Sequence, residues 1–323
     1  MNDNSLSIKD RYNSVLEKFI ERVKGDSNII AAFSYGSIIE GKLWDKSDID
    51  IWLISKENSK KVYNQYSLIE DDIDFQVELY SRNYFIELID SPQNQNFFRS
   101  VLSESKLLFS TDEIIEEIFN GEKFLGDRDK EENLLKSAIY SIICIKKAEK
   151  TLTFQEEIID GFSLIQKLIW NIACIEIALN NEFRGREVIS QGLNLNPDFF
   201  NCTYVSLIKN ESTILSLVKI LEICKEYIEE RKDILFYPII RWMKEVGEVR
   251  GVSRINEYLK KKYNISNDGN ELTDTYNWLA ERDILIKTSE SIKLTDKSKV
   301  IFEEAAYYYN FDSNIWLENY WVM

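Results

Sequence analysis

The sequence contains no histidine among its 323 residues. Imidazole is a common general base near neutral pH and the commonest side-chain ligand of protein-bound metals. Its absence excludes hydrolases that use a Ser-His-Asp triad, and it excludes metal sites that depend on histidine. A metal bound by this chain is therefore expected to have oxygen ligands, which favours magnesium, manganese or calcium.

Proline, glycine and cysteine are also scarce, with 3, 11 and 4 residues respectively. Few prolines and glycines favour long regular elements, and we expect most of these to be helices. The cysteines are Cys144, Cys174, Cys202 and Cys224, and no two of them form a Cys-x-x-Cys pair. This spacing predicts core packing in a reducing compartment rather than disulfides or a zinc site.

Basic residues are outnumbered by acidic residues, 40 to 55, which gives a formal charge of −15. Such a chain repels phosphate backbones at long range, so nucleic acid is not the expected partner. A small cationic substrate fits this charge better. An acidic surface that only keeps the protein soluble accounts for the charge equally well.

Long uninterrupted hydrophobic runs are missing too. The most apolar stretch, Phe162–Leu179, is interrupted by Gln166, Lys167, Asn171 and Glu176, which predicts an amphipathic helix rather than a membrane span. The first ten residues, MNDNSLSIKD, are polar and do not resemble a signal peptide. We therefore expect a cytoplasmic protein with no membrane partner.

The first third of the chain mixes helical and strand patterns, which predicts a small mixed-sheet α+β domain over residues 1–112. Ser7 can cap the first helix, with Asp10 three positions further on. The predicted helices are 7–24, Ser59–Tyr66, Asn83–Ile89 and Gln95–Ser105, and the predicted strands are Ile29–Ser34, Asp48–Ser55, Ile69–Tyr80 and Lys106–Phe109.

The rest of the chain is predicted to be largely helical. Helical stripes at 130–150, 154–181, 184–192 and 203–231 predict an all-α bundle over residues 113–235. Residues 236–323 show the order helix–helix–helix–hairpin, which is that of a winged-helix-like C-terminal unit. Its predicted elements are Pro238–Val246, Val252–Tyr263, Leu272–Glu281, a hairpin of Ile284–Lys287 with Ser291–Leu294, and a final helix from Asp296.

The helix before the predicted hairpin, ELTDTYNWLAERD, is rich in acidic residues. An acidic helix repels DNA phosphates, so this unit is expected to serve in packing, in a homodimer or in partner contacts rather than in DNA binding.

Two short strings in the first domain carry candidate chemistry. Gly36-Ser37 follows an apolar strand, where glycine permits close backbone approach and a serine hydroxyl with the following N–H groups can bind phosphate oxygens. Asp48 and Asp50 open a second apolar strand, on which residues i and i+2 share one face. Two carboxylates on one face suit a pair of magnesium ions that neutralise the charge of a triphosphate. Ser47, directly before them, can orient the aspartates or cap the turn.

The stretch FSYGSIIEGKLWDKSDIDIWLIS, residues 33–55, resembles the polymerase β-like nucleotidyltransferase superfamily. The resemblance extends over residues 7–112. A catalytic domain followed by a helical bundle is most similar to the aminoglycoside and lincosamide nucleotidyltransferases. The resemblance implies that Gly36-Ser37 holds the triphosphate of an NTP co-substrate, and that Asp48 and Asp50 bind two Mg²⁺ ions.

The resemblance also implies a third carboxylate on a neighbouring strand, which can act as the general base. Asp74 and Glu78 share one face of the predicted strand but lie about 13 Å apart, so only one of them can reach the metals. The family places this acid just before the strand gives way to a polar turn and a helix. VELYSRNYF, residues 77–85, fits that position better than IDFQ, so the sequence predicts Glu78 as the third metal ligand and catalytic residue.

The motif and the resemblance together predict an enzyme that moves a nucleoside monophosphate, expected to be AMP, from an NTP to a hydroxyl of a small molecule. Two alternatives stay open. One is transfer to a protein or a tRNA in a toxin–antitoxin or regulatory setting. The other is a nucleotide-sensing regulator that binds DNA through the C-terminal unit.

Overall fold

The computed structural model of the chain describes residues 7–56, 63–90, 95–121, 126–265, 271–295, 297 and 299–312. The chain divides into two compact units, Met1–Leu125 and Gly126–Met323, and each is described by itself. The predicted domain boundaries at residues 112 and 235 remain predictions.

A five-stranded sheet forms the centre of the first unit, with the strand order β3-β4-β2-β1-β5. The strands are β1 (Ile29–Tyr35), β2 (Ile49–Ser55), β3 (Tyr63–Glu70), β4 (Ile73–Ser81) and β5 (Lys106–Ser110). β2 and β4 run parallel, whereas the other neighbouring strands run antiparallel. The predicted mixed sheet of an α+β domain is therefore confirmed.

Helices cover both faces of this sheet. They are α1 (Ile8–Lys24), α2 (Ser37–Glu40), α3 (Arg82–Asp90), α4 (Gln95–Ser103) and α5 (Glu113–Gly121). α1 packs on one face, where Phe19 stacks on Phe75 with ring centroids 4.5 Å apart. α3, α4 and α5 pack on the other face around Trp52. Ser7 caps α1 as predicted, because its side chain accepts a hydrogen bond from the backbone N–H of Asp10.

Two predictions on this sheet are wrong. Residues 63–66, predicted as the end of a helix, belong to β3, and 59–62 lie outside the described residues. β3 and β4 form an antiparallel hairpin in place of the single predicted strand Ile69–Tyr80. The turn lies at Asp71 and Asp72, with φ angles of 46° and 59°. Short polar side chains tolerate this left-handed conformation, and such turns match the twist of the flanking strands.

The second unit begins with a helical region centred on two long helices. The helices up to residue 235 are α6 (Asp127–Glu149), α7 (Ile158–Leu179), α8 (Val188–Leu195), α9 (Pro197–Phe200), α10 (Ser206–Lys209), α11 (Ile214–Glu230) and α12 (Lys232–Leu235). Two π-helical turns, Lys150–Phe154 and Asn201–Val205, lie among them. α6 and α7 pack against each other and bury aliphatic side chains, as the helical stripes predict.

α7 is long and apolar enough to cross a membrane by length and composition, and it is the one such helix among the described residues. However, 61% of its apolar window is buried inside the protein. Its buried Glu176 is also partnered, because it accepts hydrogen bonds from the Tyr227 hydroxyl at 2.8 Å and from the Asn196 amide at 2.6 Å. These contacts support the interpretation of α7 as a core helix.

The chain after residue 236 contains helices and a small sheet. The elements are α13 (Tyr237–Val246), β6 (Arg250–Gly251), α14 (Val252–Tyr263), α15 (Glu271–Ala280), β7 (Leu285–Ile292) and β8 (Phe302–Tyr309), with the strand order β6-β8-β7. The predicted hairpin of Ile284–Lys287 with Ser291–Leu294 is wrong, because Leu285–Ile292 is the single strand β7, which pairs with β8. The winged-helix interpretation of this region remains a prediction.

The final helix predicted from Asp296 is wrong. Asp296 itself lies outside the described residues, and residues 302–309 form β8, which pairs with β7 from Ile292↔Phe302 to Leu285↔Tyr309. Tyr307 fixes this strand, because its side chain is buried and its hydroxyl donates to the Asn277 side chain at 2.9 Å. The pairing lies outside any local window of sequence, so the helix-forming run Glu303–Ala306 is overridden.

Candidate active site

Gly36 lies where β1 ends and α2 begins, directly beside a carboxylate of β2. Its φ of 74° is in the left-handed region, which favours glycine. A Cβ atom at this position would overlap Oδ2 of Asp50. Position 36 therefore requires glycine for two reasons, one in its own backbone and one in the space that Asp50 occupies.

The pairing of β1 with β2 explains why Gly36 lies beside Asp50. β1 and β2 are antiparallel, and Tyr35 lies opposite Asp50 in their register. Ile49 and Ile51 are fully buried on the α1 face of the sheet, while Trp52 is buried on the opposite face. This alternation places Asp48 and Asp50, both half-buried, on the Trp52 face as the sequence predicts.

The parallel register of β2 and β4 separates the two candidates for the third acid. Ile49 pairs with Phe75, and Trp52 pairs with Glu78. Asp48 and Asp74 directly precede the first of these pairs, so they lie level with each other on neighbouring strands. Glu78 lies level with Trp52, which is two residues beyond Asp50, or about 7 Å along the strand.

Glu78 takes part in a network of hydrogen bonds with neighbouring side chains. Its Oε2 accepts from Trp52 Nε1 at 3.0 Å and from the Tyr80 hydroxyl, and its Oε1 accepts from Gln65 Nε2 at 3.2 Å. Burial and the contact with Glu78 raise the pKa of Tyr80, so Tyr80 stays a proton donor to this carboxylate. These three donors hold Glu78 against Trp52 and the aromatic core.

The pKa of Tyr12 in α1 indicates which acids lie near one another at the start of β2. Burial raises the pKa of the Tyr12 hydroxyl; Arg11 opposes this shift, and the negative charges of Asp45, Asp48 and Asp74 add to it. Asp48 and Asp74 therefore act on one phenol.

The negative charge of Glu78 acts on other tyrosines, Tyr63 and Tyr80. It raises the pKa of the Tyr63 hydroxyl, after the larger effect of burial. The acids that flank the start of β2 and β4 thus form one electrostatic neighbourhood, and Glu78 belongs to another.

Ser47 fixes the turn that leads into Asp48. Its hydroxyl oxygen accepts from the Trp44 backbone N–H at 3.1 Å, and its own N–H donates to the Trp44 carbonyl at 3.1 Å. The Ser47 carbonyl in turn accepts from the buried Tyr12 hydroxyl at 2.7 Å. Sequence reasoning treated Tyr12 only as part of the apolar stripe of α1. The available signal was that a buried tyrosine hydroxyl needs a partner.

Ser37 begins α2 directly after Gly36 and is half-buried. Its carbonyl accepts from the Lys42 backbone N–H at 3.0 Å, which closes the short loop back onto the strand end. Ser37 is therefore held in a closed loop directly after the glycine that contacts Asp50.

The side chains at this end of the sheet suit a hard divalent cation. Asp48 and Asp50 offer oxygen ligands, and the missing Cβ of Gly36 leaves room for the Asp50 carboxylate. Among the residues that the structure describes, no group of three acidic or cysteine side chains forms a complete metal site. Magnesium commonly takes only one or two carboxylates from the protein, with water and substrate phosphates as its other ligands. The residues present therefore fit Mg²⁺ bound together with a nucleotide.

Comparison with known proteins places this geometry in context. Residues 17–114 match the family described as Polymerase beta, Nucleotidyltransferase. The crystal structure of a nucleotidyltransferase-like protein from Exiguobacterium sibiricum 255-15 is similar in fold, with a TM-score of 0.57 at 10% sequence identity. The similarity covers 92% of this chain and 99% of that one. No curated protein sequence matches the chain significantly.

Proposed function

We propose that this chain, which carries a polymerase β-type nucleotidyltransferase domain at residues 17–114, transfers a nucleoside monophosphate from an NTP to a hydroxyl of a small molecule. The contact between Gly36 and the Asp50 carboxylate is the observation that carries the proposal. It brings a residue proposed to bind phosphate next to one proposed to bind metal, inside the segment that matches the family. AMP is the first nucleotide to test.

The proposed roles follow from the positions of the residues. Gly36 and Ser37 bind the triphosphate, Asp48 and Asp50 hold two Mg²⁺ ions, and Ser47 keeps both aspartates in position. The ions supply charge neutralisation for the triphosphate. The acceptor oxygen forms a bond to the α-phosphorus, the bond from that phosphorus to the bridging oxygen breaks, and pyrophosphate leaves. The hydroxyl proton passes to a carboxylate base.

Asp74 is our choice for that third carboxylate, in place of Glu78. Asp74 is exposed, lies level with Asp48 on the neighbouring strand and acts on the same Tyr12 hydroxyl. Glu78 lies four residues, or about 13 Å, further along the strand, and it would have to give up three hydrogen bonds to reach the same place.

The acceptor in this proposal is a small hydroxylated molecule that carries positive charge, because the chain has a formal charge of −15. An acidic protein attracts cations and raises their local concentration. No observation on the described residues favours transfer to a protein or to tRNA.

The test uses the full-length protein with α-labelled NTPs, magnesium and panels of cationic and neutral hydroxylated acceptors. We expect label on a small acceptor, and Asp48→Asn or Asp50→Asn to lower the rate roughly a hundredfold or more, because each loses transition-state charge stabilisation worth several kcal/mol. Asp45→Asn is the matched control, since Asp45 is an exposed acid in the same loop. Equal rates in all four proteins would refute the proposal.

The choice of the third acid has its own comparison. Asp74→Asn should lower the rate by roughly a hundredfold or more, since loss of a general base costs about 10²–10⁴-fold. Glu78→Gln should mainly lower stability, since it weakens the contacts to Trp52 and Tyr80. The opposite pattern, with Asp74→Asn near wild type and Glu78→Gln inactive but folded, would restore Glu78 as the catalytic acid.

A further inference from the structure

A groove on the second unit has the features of a small-molecule site. We call it the bundle groove; it lies along α6 and α7 and reaches α8 and the π-helical turn Asn201–Val205. Its volume is about 720 Å³, which is within the range of ligand pockets in proteins. The residues that matter for its chemistry are Tyr140, Gln166, Lys167, Trp170, Asn171 and Tyr204.

Three aromatic rings line the bundle groove. Tyr140 is 53% exposed and Trp170 is 40% exposed, although the neighbouring turns of α6 and α7 are largely buried. Tyr204 comes from the π-helical turn, and such turns recur at functional sites. Exposed aromatic faces favour stacking on a flat ring.

Asn171 supplies a polar group in the wall of the groove that lacks a partner on one side. The residue is only 8% exposed, and its Nδ2 donates to the Lys167 carbonyl at 2.8 Å. Within the described part of the chain its Oδ1 accepts no hydrogen bond. This oxygen is open to solvent, so a hydroxyl or N–H group of a ligand can donate a hydrogen bond to it.

The charge in the bundle groove has the opposite sign from that of the whole chain. None of its described lining residues is an aspartate or a glutamate, and Lys167 lies in its wall. The Arg184 guanidinium lies over the Trp170 ring, 5.3 Å from the ring centroid. In a protein with a formal charge of −15, this groove disfavours a cation and favours an anion.

We propose that the bundle groove binds a small anion that carries a flat ring, such as a nucleoside monophosphate. The ring stacks on the face of Trp170 that Arg184 does not cover, a donor on the ligand bonds to Asn171 Oδ1, and the anionic group lies near Lys167. This site takes a ligand of opposite charge to the proposed acceptor. It does not depend on the proposed transferase activity.

The test is calorimetric binding of AMP and phenyl phosphate to the full-length protein in EDTA, so that divalent metal does not load the catalytic site. We expect saturable binding that weakens as salt is added. Trp170→Ala should weaken AMP binding about tenfold, Trp170→Phe should keep most of it, and Lys167→Gln should weaken it while flattening the salt dependence. Asp48→Asn should bind AMP as the wild type does.

Phe154→Ala and Lys209→Gln are matched controls, because both side chains are exposed on the second unit outside the groove. Absence of saturable binding for both probes would overturn the proposal. Equal AMP affinity in wild type and Trp170→Ala would also overturn it, as would adenosine binding as tightly as AMP. Loss of binding in Asp48→Asn would move the ligand to the catalytic site and overturn the second site.

Discussion

Position 36 requires glycine both for its backbone conformation and for the space beside Asp50. Substitution of Gly36 and of Gly41 distinguishes the two requirements. Gly36→Ala introduces a Cβ that overlaps Asp50 Oδ2, whereas Gly41, with a φ of 73°, has nothing within 4 Å of the added atom. Gly41→Ala should lose about 1 kcal/mol of stability from left-handed strain, and Gly36→Ala should lose more, because a ψ of −152° at positive φ is open essentially only to glycine. Only Gly36→Ala should also lose activity, by roughly a hundredfold, because the Asp50 carboxylate must move.

Thermal unfolding and transfer assays on the two variants check this prediction. Equal activity losses in Gly36→Ala and Gly41→Ala would mean that backbone strain, rather than the contact with Asp50, makes glycine necessary.

Tyr12 acts through the loop that carries Asp48. Tyr12→Phe removes the hydroxyl that donates to the Ser47 carbonyl, and it leaves that carbonyl buried without its partner. We expect a stability loss of about 1–2 kcal/mol. We also expect the magnesium concentration for half-maximal rate to rise several-fold, while the rate at saturating magnesium changes little.

Tyr66→Phe is the control, because Tyr66 is 45% exposed on β3. Metal titrations at fixed NTP give the measurement, and an unchanged magnesium dependence in Tyr12→Phe would assign this hydroxyl to stability alone.

The choice between Asp74 and Glu78 as the third acid depends on information that the pattern of single residues does not contain. Alternation along the strands put Asp74 and Glu78 on one face of their strand, and Asp48 and Asp50 on one face of theirs. The choice between them depended on which residue of β4 pairs with which residue of β2, and register is set by packing between strands that are distant in sequence. The hydrogen bonds from Trp52 and Tyr80 to Glu78 were equally invisible to a linear pattern.

At the scale of elements, Asp112 joins the start of α3 to the start of α5. Its carboxylate accepts from Arg82 Nε at 2.6 Å and Nη2 at 3.2 Å, and from the Ile115 backbone N–H at 3.2 Å. The Arg82 guanidinium holds the pKa of Asp112 below its ordinary value of 3.8; partial burial opposes this shift, and the bonds to the helix backbone add to it.

Asp112→Asn should therefore destabilise the protein by about 1–2 kcal/mol at neutral pH. The folded-state pKa is depressed, so the stabilisation is complete above the unfolded value and is lost as the pH falls through the folded value. The difference between Asp112→Asn and wild type should shrink below about pH 4. Denaturant unfolding at several pH values measures this, with the exposed Glu113→Gln as control. A difference that is independent of pH would contradict it.

Elements with a clear local signal were predicted well. α1 has a capping serine and a one-sided apolar stripe, and β2 alternates at its start and continues as an apolar run, so both appear where the sequence predicts them. β3 is almost wholly exposed and buries no apolar face, and β8 contains a run that favours a helix. Both become strands through pairing with a neighbour, which propensity within the segment does not encode.

At the scale of the whole molecule, charge should govern capture of the acceptor. If attraction by the acidic protein raises the local concentration of a cationic acceptor, salt should weaken it, because the screening length falls from about 10 Å at 0.1 M to about 3 Å at 1 M salt. We expect kcat/KM for a cationic acceptor to fall several-fold over this range. A neutral acceptor serves as the control, and an equal salt response for both acceptors would contradict electrostatic capture.

β3 has a consequence for how the protein behaves in a concentrated solution. It is the last strand on its side of the five-stranded sheet, and Tyr66 and Ile69 are 45% and 70% exposed. An outer strand with exposed apolar side chains is a template onto which another chain can add by backbone pairing. Turbidity on concentrating or storing the protein is therefore expected to begin at this edge, and a lysine at position 69 is the simplest change to improve its shelf life.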